Sequence, residues 1–182
     1  MTELGSGLFQ GKVVFTPALP SADLYQQAIS LLKMPDNAIR YPSAVYLFNL
    51  PGAPESVMSF SGLSRNENWG RWSNANLAPA VTLTYKMPLP ATFTLRITAK
   101  GFGPNIGKPV KVTVGDQQQT FIPTATFAEY QLHFTPPAGS RVITLTPPEP
   151  AESMLDNIIG QDPRKLGVGL QSLQIVTDDS QP

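Results

Sequence analysis

Apolar and polar residues alternate along most of the chain after residue 56. In the segment 93–100, Phe, Leu, Ile and Ala alternate with Thr, Arg, Thr and Lys, so one face of an extended strand is apolar and the other polar. Similar alternation or a short apolar run occurs in the segments 81–85, 110–114, 130–134, 142–146 and 167–176. Gly115-Asp116 predicts a hairpin turn into residues 117–122. The pattern predicts a domain of half-buried β-strands.

About eight such strands predict an antiparallel β-sandwich, in which two sheets pack their apolar faces together. We expect a jelly-roll-like arrangement of the kind found in carbohydrate-binding modules. The 19 prolines and 14 glycines are spread between the apolar runs, as in a domain of short strands joined by tight turns.

The first part of the chain has a different pattern. Ser21 is a candidate N-cap for a short helix over 22–33, and Pro35 ends it. Turn residues dominate 36–55. We therefore predict a helical and irregular lead-in over 1–55 and a β-sandwich accessory domain over 56–178. A single compact unit with an N-terminal cap is the alternative.

Composition narrows the classes of function. Thirteen basic residues balance thirteen acidic ones, so the chain has no electrostatic footprint for nucleic acid. There is no cysteine, which excludes disulfides and thiol chemistry. No apolar run approaches the roughly 20 residues of a membrane-spanning helix.

The loop 101–107 is rich in glycine but lacks the spacing of a phosphate-binding loop. Gly167 and Gly169 indicate a strand that another backbone approaches closely.

Candidate catalytic and metal-binding residues are few. His133, the single histidine, lies between Leu132 and Phe134, so strand alternation places it on the solvent face, away from any triad. One histidine without cysteine cannot complete a tetrahedral zinc site. A pair formed by Glu67 and Asp162 could serve a glycosidase, and a structural calcium site in the loops stays open. We predict no catalytic residue, no metal and no cofactor.

The stretch 60–85 contains both tryptophans of the chain and the most varied polar groups. We predict a contact site for a sugar here, since an exposed indole binds the C–H face of a sugar ring and nearby polar groups bind its hydroxyls. The candidate residues are Trp69, Arg71, Trp72, Asn66, Glu67, Asn68 and Asn74. In an extended segment Trp69 and Arg71 share one face and Trp72 lies on the other. The alternative is that both indoles anchor the core and that Glu67 pairs with Arg65 or Arg71.

The same stretch resembles the C-terminal β-sandwich domain of the phosphoglycerol transferase I family. The matching positions are Gly62, Ser64, Glu67, Trp69, Gly70, Trp72 and Ser73. The segment 160–173 resembles the closing strand of that domain, and the resemblance extends over about residues 8 to 176.

The resemblance implies a parent enzyme anchored in the inner membrane of a Gram-negative cell, with its soluble part in the periplasm. That family transfers phosphoglycerol onto osmoregulated periplasmic glucans and uses a metal-dependent catalytic domain. This chain lacks the metal motif, so the catalytic domain is expected N-terminal to it, and no catalytic residue carries over. The implied partners are the periplasmic glucan and the catalytic domain of the same polypeptide, with the membrane reached only through the parent.

We therefore predict a non-catalytic accessory domain that binds or orients the glucan acceptor. The alternatives are a purely structural domain that packs on the catalytic domain, and an independent enzyme that uses carboxylates to act on glycans.

Overall fold

The computed structural model describes residues 45–153 and 162–177, which form an antiparallel β-sandwich. Two sheets contain the eleven strands of this part of the chain. The strands are β1 (Tyr46–Leu47), β2 (Val57–Ser61), β3 (Arg71–Asn74), β4 (Val81–Tyr85), β5 (Phe93–Gly101), β6 (Val110–Val114), β7 (Gln117–Phe121), β8 (Ala128–Phe134), β9 (Val142–Thr146), β10 (Ala151–Ser153) and β11 (Asp162–Val176). A short 3₁₀ helix, Gly103–Asn105, lies between β5 and β6.

The first sheet is organised around β11. Its strand order is β1-β11-β5-β8, and β3 and β10 also pair with β11. The second sheet has the order β2-β4-β9-β6-β7. All pairings are antiparallel. The predicted antiparallel β-sandwich is confirmed, and its jelly-roll connectivity stays a prediction.

The hydrophobic core lies between the two sheets. On β5 the apolar residues of the alternating pattern are completely buried, and the polar residues between them are half-buried on the outer side of the sheet. The second sheet contributes buried side chains from three neighbouring strands: Val81, Leu83, Val110, Val112, Val114, Ile143 and Leu145. Burial of the apolar face of each strand accounts for the alternation seen in the sequence.

The hairpin between β6 and β7 forms as predicted. Val114 pairs with Gln117, so Gly115 and Asp116 form a two-residue loop. Gly115 has φ +59°, a backbone conformation that glycine adopts without steric cost. The glycine-rich segment 101–107 connects β5 to β6, in agreement with its interpretation as a loop between strands.

Several strands have no signature in the sequence. β3 contains Arg71, Ser73 and Asn74, and all three are buried although polar. β1 lies inside the predicted lead-in and pairs with β11. The predicted helix over 22–33 lies outside the described residues, and the boundary at residue 56 stays a prediction. No helix in the described ranges is long and apolar enough to span a membrane.

Replacing Leu145, which is fully buried on β9 opposite Val81 and Val112, tests the position of the core. We expect Leu145→Ala to lower the free energy of unfolding by about 2–5 kcal/mol, because it leaves a cavity between the sheets. Urea denaturation followed by circular dichroism measures this loss. The control Leu77→Ala removes a side chain that is 62% exposed and should change stability by less than about 0.5 kcal/mol. Equal losses of stability from the two substitutions would contradict the assignment of Leu145 to the core between the sheets.

Candidate functional site

A tight turn at residues 67–70 places both indoles on one side of the sheet. The Glu67 amide donates to the Gly70 carbonyl at 2.7 Å, and the Gly70 amide donates to the Glu67 carbonyl at 3.3 Å. The rings of Trp69 and Trp72 therefore meet edge to face, with centroids 5.0 Å apart. The expectation that the two indoles lie on opposite faces is wrong, because the turn interrupts the extended alternation on which it depended.

Gly70 is required at the end of this turn. Its φ is +155°, and a Cβ atom there would lie 2.1 Å from the Leu170 carbonyl oxygen of β11. No other residue could bring the backbone this close to β11. The contact fixes the position of the turn against the first sheet.

Trp72, Gly169 and Lys100 form one row across three strands. Gly169 of β11 pairs with Trp72 of β3 on one side and with Lys100 of β5 on the other. A Cβ atom on Gly169 would lie 2.8 Å from Cζ3 of Trp72 and 3.1 Å from Cη2 of Trp69. The close approach predicted at this glycine exists, but indole rings make it and not a second backbone.

The Lys100 ammonium lies among three aromatic rings. Its Nζ is 4.3 Å from the ring centroid of Trp69, 5.0 Å from that of Trp72 and 4.6 Å from that of Phe127. These distances are those of cation–π interactions. Phe102 packs against Trp72 with centroids 5.4 Å apart. We call Lys100 and these four rings the aromatic cluster. Every member is half-buried on the outer side of the first sheet.

Glu67 holds the Trp69 ring in place. Its Oε2 accepts a hydrogen bond from Nε1 of Trp69 at 2.9 Å, and its Oε1 forms an ion pair with Nη1 of Arg164 at 3.1 Å. About a third of each charged side chain is exposed, so the ion pair itself contributes only about 0–1 kcal/mol. Its partner is Arg164 of β11, and neither Arg65 nor Arg71.

Arg71 lies in the interior, on the opposite side of β3 from Trp72. Its Nε donates to the carbonyl of Phe48 at 3.1 Å, and its Nη2 donates to those of Leu50 and Gly52 at 3.0 and 3.2 Å. Arg71 therefore binds the loop 48–52 and is not part of the aromatic cluster.

The Tyr46 hydroxyl donates to the Gly52 carbonyl and supports the same loop. Burial raises the pKa of Tyr46, and the nearby charge of Arg71 partly offsets that rise.

The asparagines are dispersed around this region. Asn74 is buried, and its Oδ1 accepts from the Asn76 amide at 3.0 Å, which forms a local turn. Asn66 donates to the Asn49 carbonyl at 3.0 Å. Asn68 is exposed in the turn beside Trp69. Of the predicted residues, the structure brings Glu67, Trp69 and Trp72 together.

Four residues of this region were missed by sequence reasoning: Lys100, Phe102, Phe127 and Arg164. The position of Lys100 on the polar face of a predicted strand was a usable signal. The sequence carries no comparable signal for Phe127. This residue directly precedes β8, and it comes close to Lys100 only because Ala128 of β8 pairs with Ala99 of β5.

Within 45–153 and 162–177, no three His, Cys, Asp or Glu residues are close enough to hold a metal ion. His133 is exposed, as predicted, and the side chain of Asp162 lies outside the described part.

The fold and this cluster define a β-sandwich domain with aromatic side chains on the outer face of one sheet. Residues 33–177 match the family described as a domain of unknown function, DUF7024, and the chain belongs to that family. It is 42% identical over 172 residues to phosphoglycerol transferase I of Salmonella heidelberg (strain SL476), and equally to that of Salmonella typhi. These alignments cover 94% of this chain and 22% of each relative. The predicted resemblance is confirmed, and the chain spans about a fifth of the relatives' length.

Solved structures with a similar shape include carbohydrate-binding modules. A module of family 29 has a TM-score of 0.48 and 15% identity, over 72% of this chain and 86% of the module. The module CBM1 of BiXyn10A has a TM-score of 0.45 and 12% identity, over 75% and 98% respectively.

Arg71→Met tests the interior role of this arginine. We expect it to lower the free energy of unfolding by about 2–4 kcal/mol, because the buried carbonyl of Phe48 and the part-buried carbonyls of Leu50 and Gly52 lose their charged donor. Urea denaturation provides the measurement. Arg65→Met removes an exposed arginine from the same stretch and should leave stability within about 0.5 kcal/mol of the parent chain. A neutral Arg71→Met variant would show that the loop does not depend on the guanidinium.

Gly169→Ala tests the packing beneath the indoles. The added Cβ should displace the Trp72 and Trp69 rings and cost roughly 1–3 kcal/mol of stability. The near-ultraviolet circular dichroism of the tryptophans should change, because the chain has only these two. Ser172→Ala, on the same strand, is the matched control and should leave the spectrum as it is. An unchanged spectrum in Gly169→Ala would mean that the rings do not pack on this position.

Proposed function

We propose that this chain is a non-catalytic accessory domain of a periplasmic phosphoglycerol transferase and that it binds the glucan acceptor at the aromatic cluster. The observation that carries the proposal is the position of Trp69 and Trp72. Both tryptophans of the sequence lie half-buried and side by side on the outer face of a sheet. Large aromatic side chains outside the core, each with an apolar face, suit a ligand that is itself partly apolar.

A sugar ring fits this chemistry. Its C–H face packs on an aromatic ring, and its hydroxyls need hydrogen-bond partners around the edge. The Trp69 N–H is already bonded to Glu67, so the indole offers its ring and not its donor. In the proposed complex the sugar packs on the face of an indole ring, and the Lys100 side chain moves to the edge of the sugar. Its ammonium, which forms no ion pair in the described part of the chain, then donates to hydroxyls.

The parent enzyme, the glucan and the periplasmic location are inferred from the similarity to phosphoglycerol transferase I. A binding domain in such an enzyme raises the local concentration of a flexible acceptor near the catalytic domain, so individually weak contacts suffice. The alternative is a structural domain that packs on the catalytic domain. It is favoured by the exposed apolar side chains of Val45, Leu47 and Leu50, close together in sequence.

Intrinsic fluorescence tests the proposal directly, because only Trp69 and Trp72 contribute tryptophan emission. Titration with β-linked gluco-oligosaccharides should give a saturable change. Trp69→Ala or Trp72→Ala should weaken binding about tenfold or more, a loss of about 1.4 kcal/mol or more. Each single variant keeps one indole as a reporter.

Met58→Ala is the matched control, since Met58 is 61% exposed on β2 of the other sheet. It should bind as the parent chain does. If the folded parent chain shows no response to any of the oligosaccharides at millimolar concentration, glycan binding at the cluster is rejected. The structural alternative would then be tested by mixing the chain with the catalytic domain.

A further inference from the structure

The outer face of the first sheet continues away from the aromatic cluster as a series of polar rows. β5 runs along the middle and presents Thr94, Arg96, Thr98 and Lys100 outward. The pairing registers place Thr98 between Ser172 and Glu129, Arg96 between Gln174 and Gln131, and Thr94 between Val176 and His133. Lys100 belongs to the row of Gly169 and Trp72, so the cluster forms one end of this surface. We call these rows the polar face.

Contacts between side chains show that members of the polar face lie on the same side of the sheet. The Ser172 hydroxyl of β11 donates to Oγ1 of Thr98 on the neighbouring strand β5 at 3.0 Å. Oγ1 of Thr94 lies 3.5 Å from Nδ1 of His133 on the neighbouring strand. Lys100 lies six positions after Thr94, so the face is about 20 Å long at roughly 3.4 Å per residue of antiparallel strand.

The chemistry of the polar face suits a polyhydroxylated chain. Hydroxyl and amide side chains both donate and accept hydrogen bonds, as sugar hydroxyls do. Lys100 and Arg96 contribute two positive charges and Glu129 one negative charge. This near balance favours a neutral polymer over a polyanion such as nucleic acid.

Arg96 adds an observation that points to a ligand. It lies at the middle of the polar face, and its Nε is buried with no hydrogen-bond partner among the described residues. Such an orphan donor is uncommon in a folded protein and calls for an explanation. A ligand oxygen that lies over the Arg96 guanidinium and draws the side chain outward would give the Nε–H donor an acceptor.

We propose that the polar face binds consecutive sugar units of one extended glycan, which runs along β5 from the aromatic cluster toward His133. This inference rests on the proposed function, since the cluster holds the first unit. It assigns the ligand as an extended oligosaccharide and not a single sugar. It also gives Arg96 and Gln131 a role in recognising units distant from the tryptophans.

Isothermal titration calorimetry on the whole chain tests the proposal with β-linked gluco-oligosaccharides, from the disaccharide to the hexasaccharide, in sets that differ in linkage. We expect affinity to rise with length by about tenfold or more. Arg96→Met and Gln131→Ala should each weaken hexasaccharide binding several-fold and leave disaccharide binding unchanged. Gln131 is exposed, so its truncation should not disturb the fold even if the arginine variant does.

Lys111→Met and Gln118→Ala are the matched controls, because both residues are exposed on strands of the second sheet. They should bind every oligosaccharide as the parent chain does. If the disaccharide binds as tightly as the hexasaccharide and the Arg96 and Gln131 variants have no effect, the extended site is overturned while the aromatic cluster stands. If no oligosaccharide of any linkage binds, the proposed function and this inference are both overturned.

Discussion

The register of β11 between β3 and β5 is the constraint on which the site depends. Val168 and Leu170 are fully buried, so Gly169 between them faces outward. A slip of one residue would turn these apolar side chains out and bring a glycine inward, which the core does not permit. The same register places Trp72 on one side of Gly169 and Lys100 on the other. The absence of a side chain at Gly169 then leaves the space that the indoles fill.

Two cations have opposite roles on this scaffold. Arg71 is buried and uses several donors of its planar guanidinium to bind carbonyl groups of one loop. Lys100 is half-buried on the outer side of the first sheet, and its compact ammonium contacts ring faces. The difference follows from the side chains, because arginine presents a rigid fork of donors and lysine a point charge on a flexible stem. The cation that remains accessible to a ligand is therefore Lys100, although Arg71 is the one beside Trp72 in sequence.

Sequence reasoning succeeded where one strand supplies its own signal. β5 shows clean alternation because one face is buried in the core and the other faces outward, and the hairpin at Gly115 shows its turn residues. Sequence reasoning failed for β3, because its buried positions are polar and its hydrogen bonds depend on β11. At the candidate site, the tryptophans and Glu67 were found by composition. Phe127 and Arg164 were not, since each comes from a distant part of the chain.

By itself, the sequence determined the sandwich, the alternation of its strands, and the importance of the stretch around Trp69. Only the tertiary structure decided which residues share the site. Glu67 pairs with Arg164, 97 positions away, and the Lys100 ammonium of β5 lies against the rings of Trp69 and Phe127, which come from two other segments of the chain. The physical reason is that periodicity depends on the local surroundings of each residue. Contacts across a sheet depend on the register between strands, which the packing of the whole core selects.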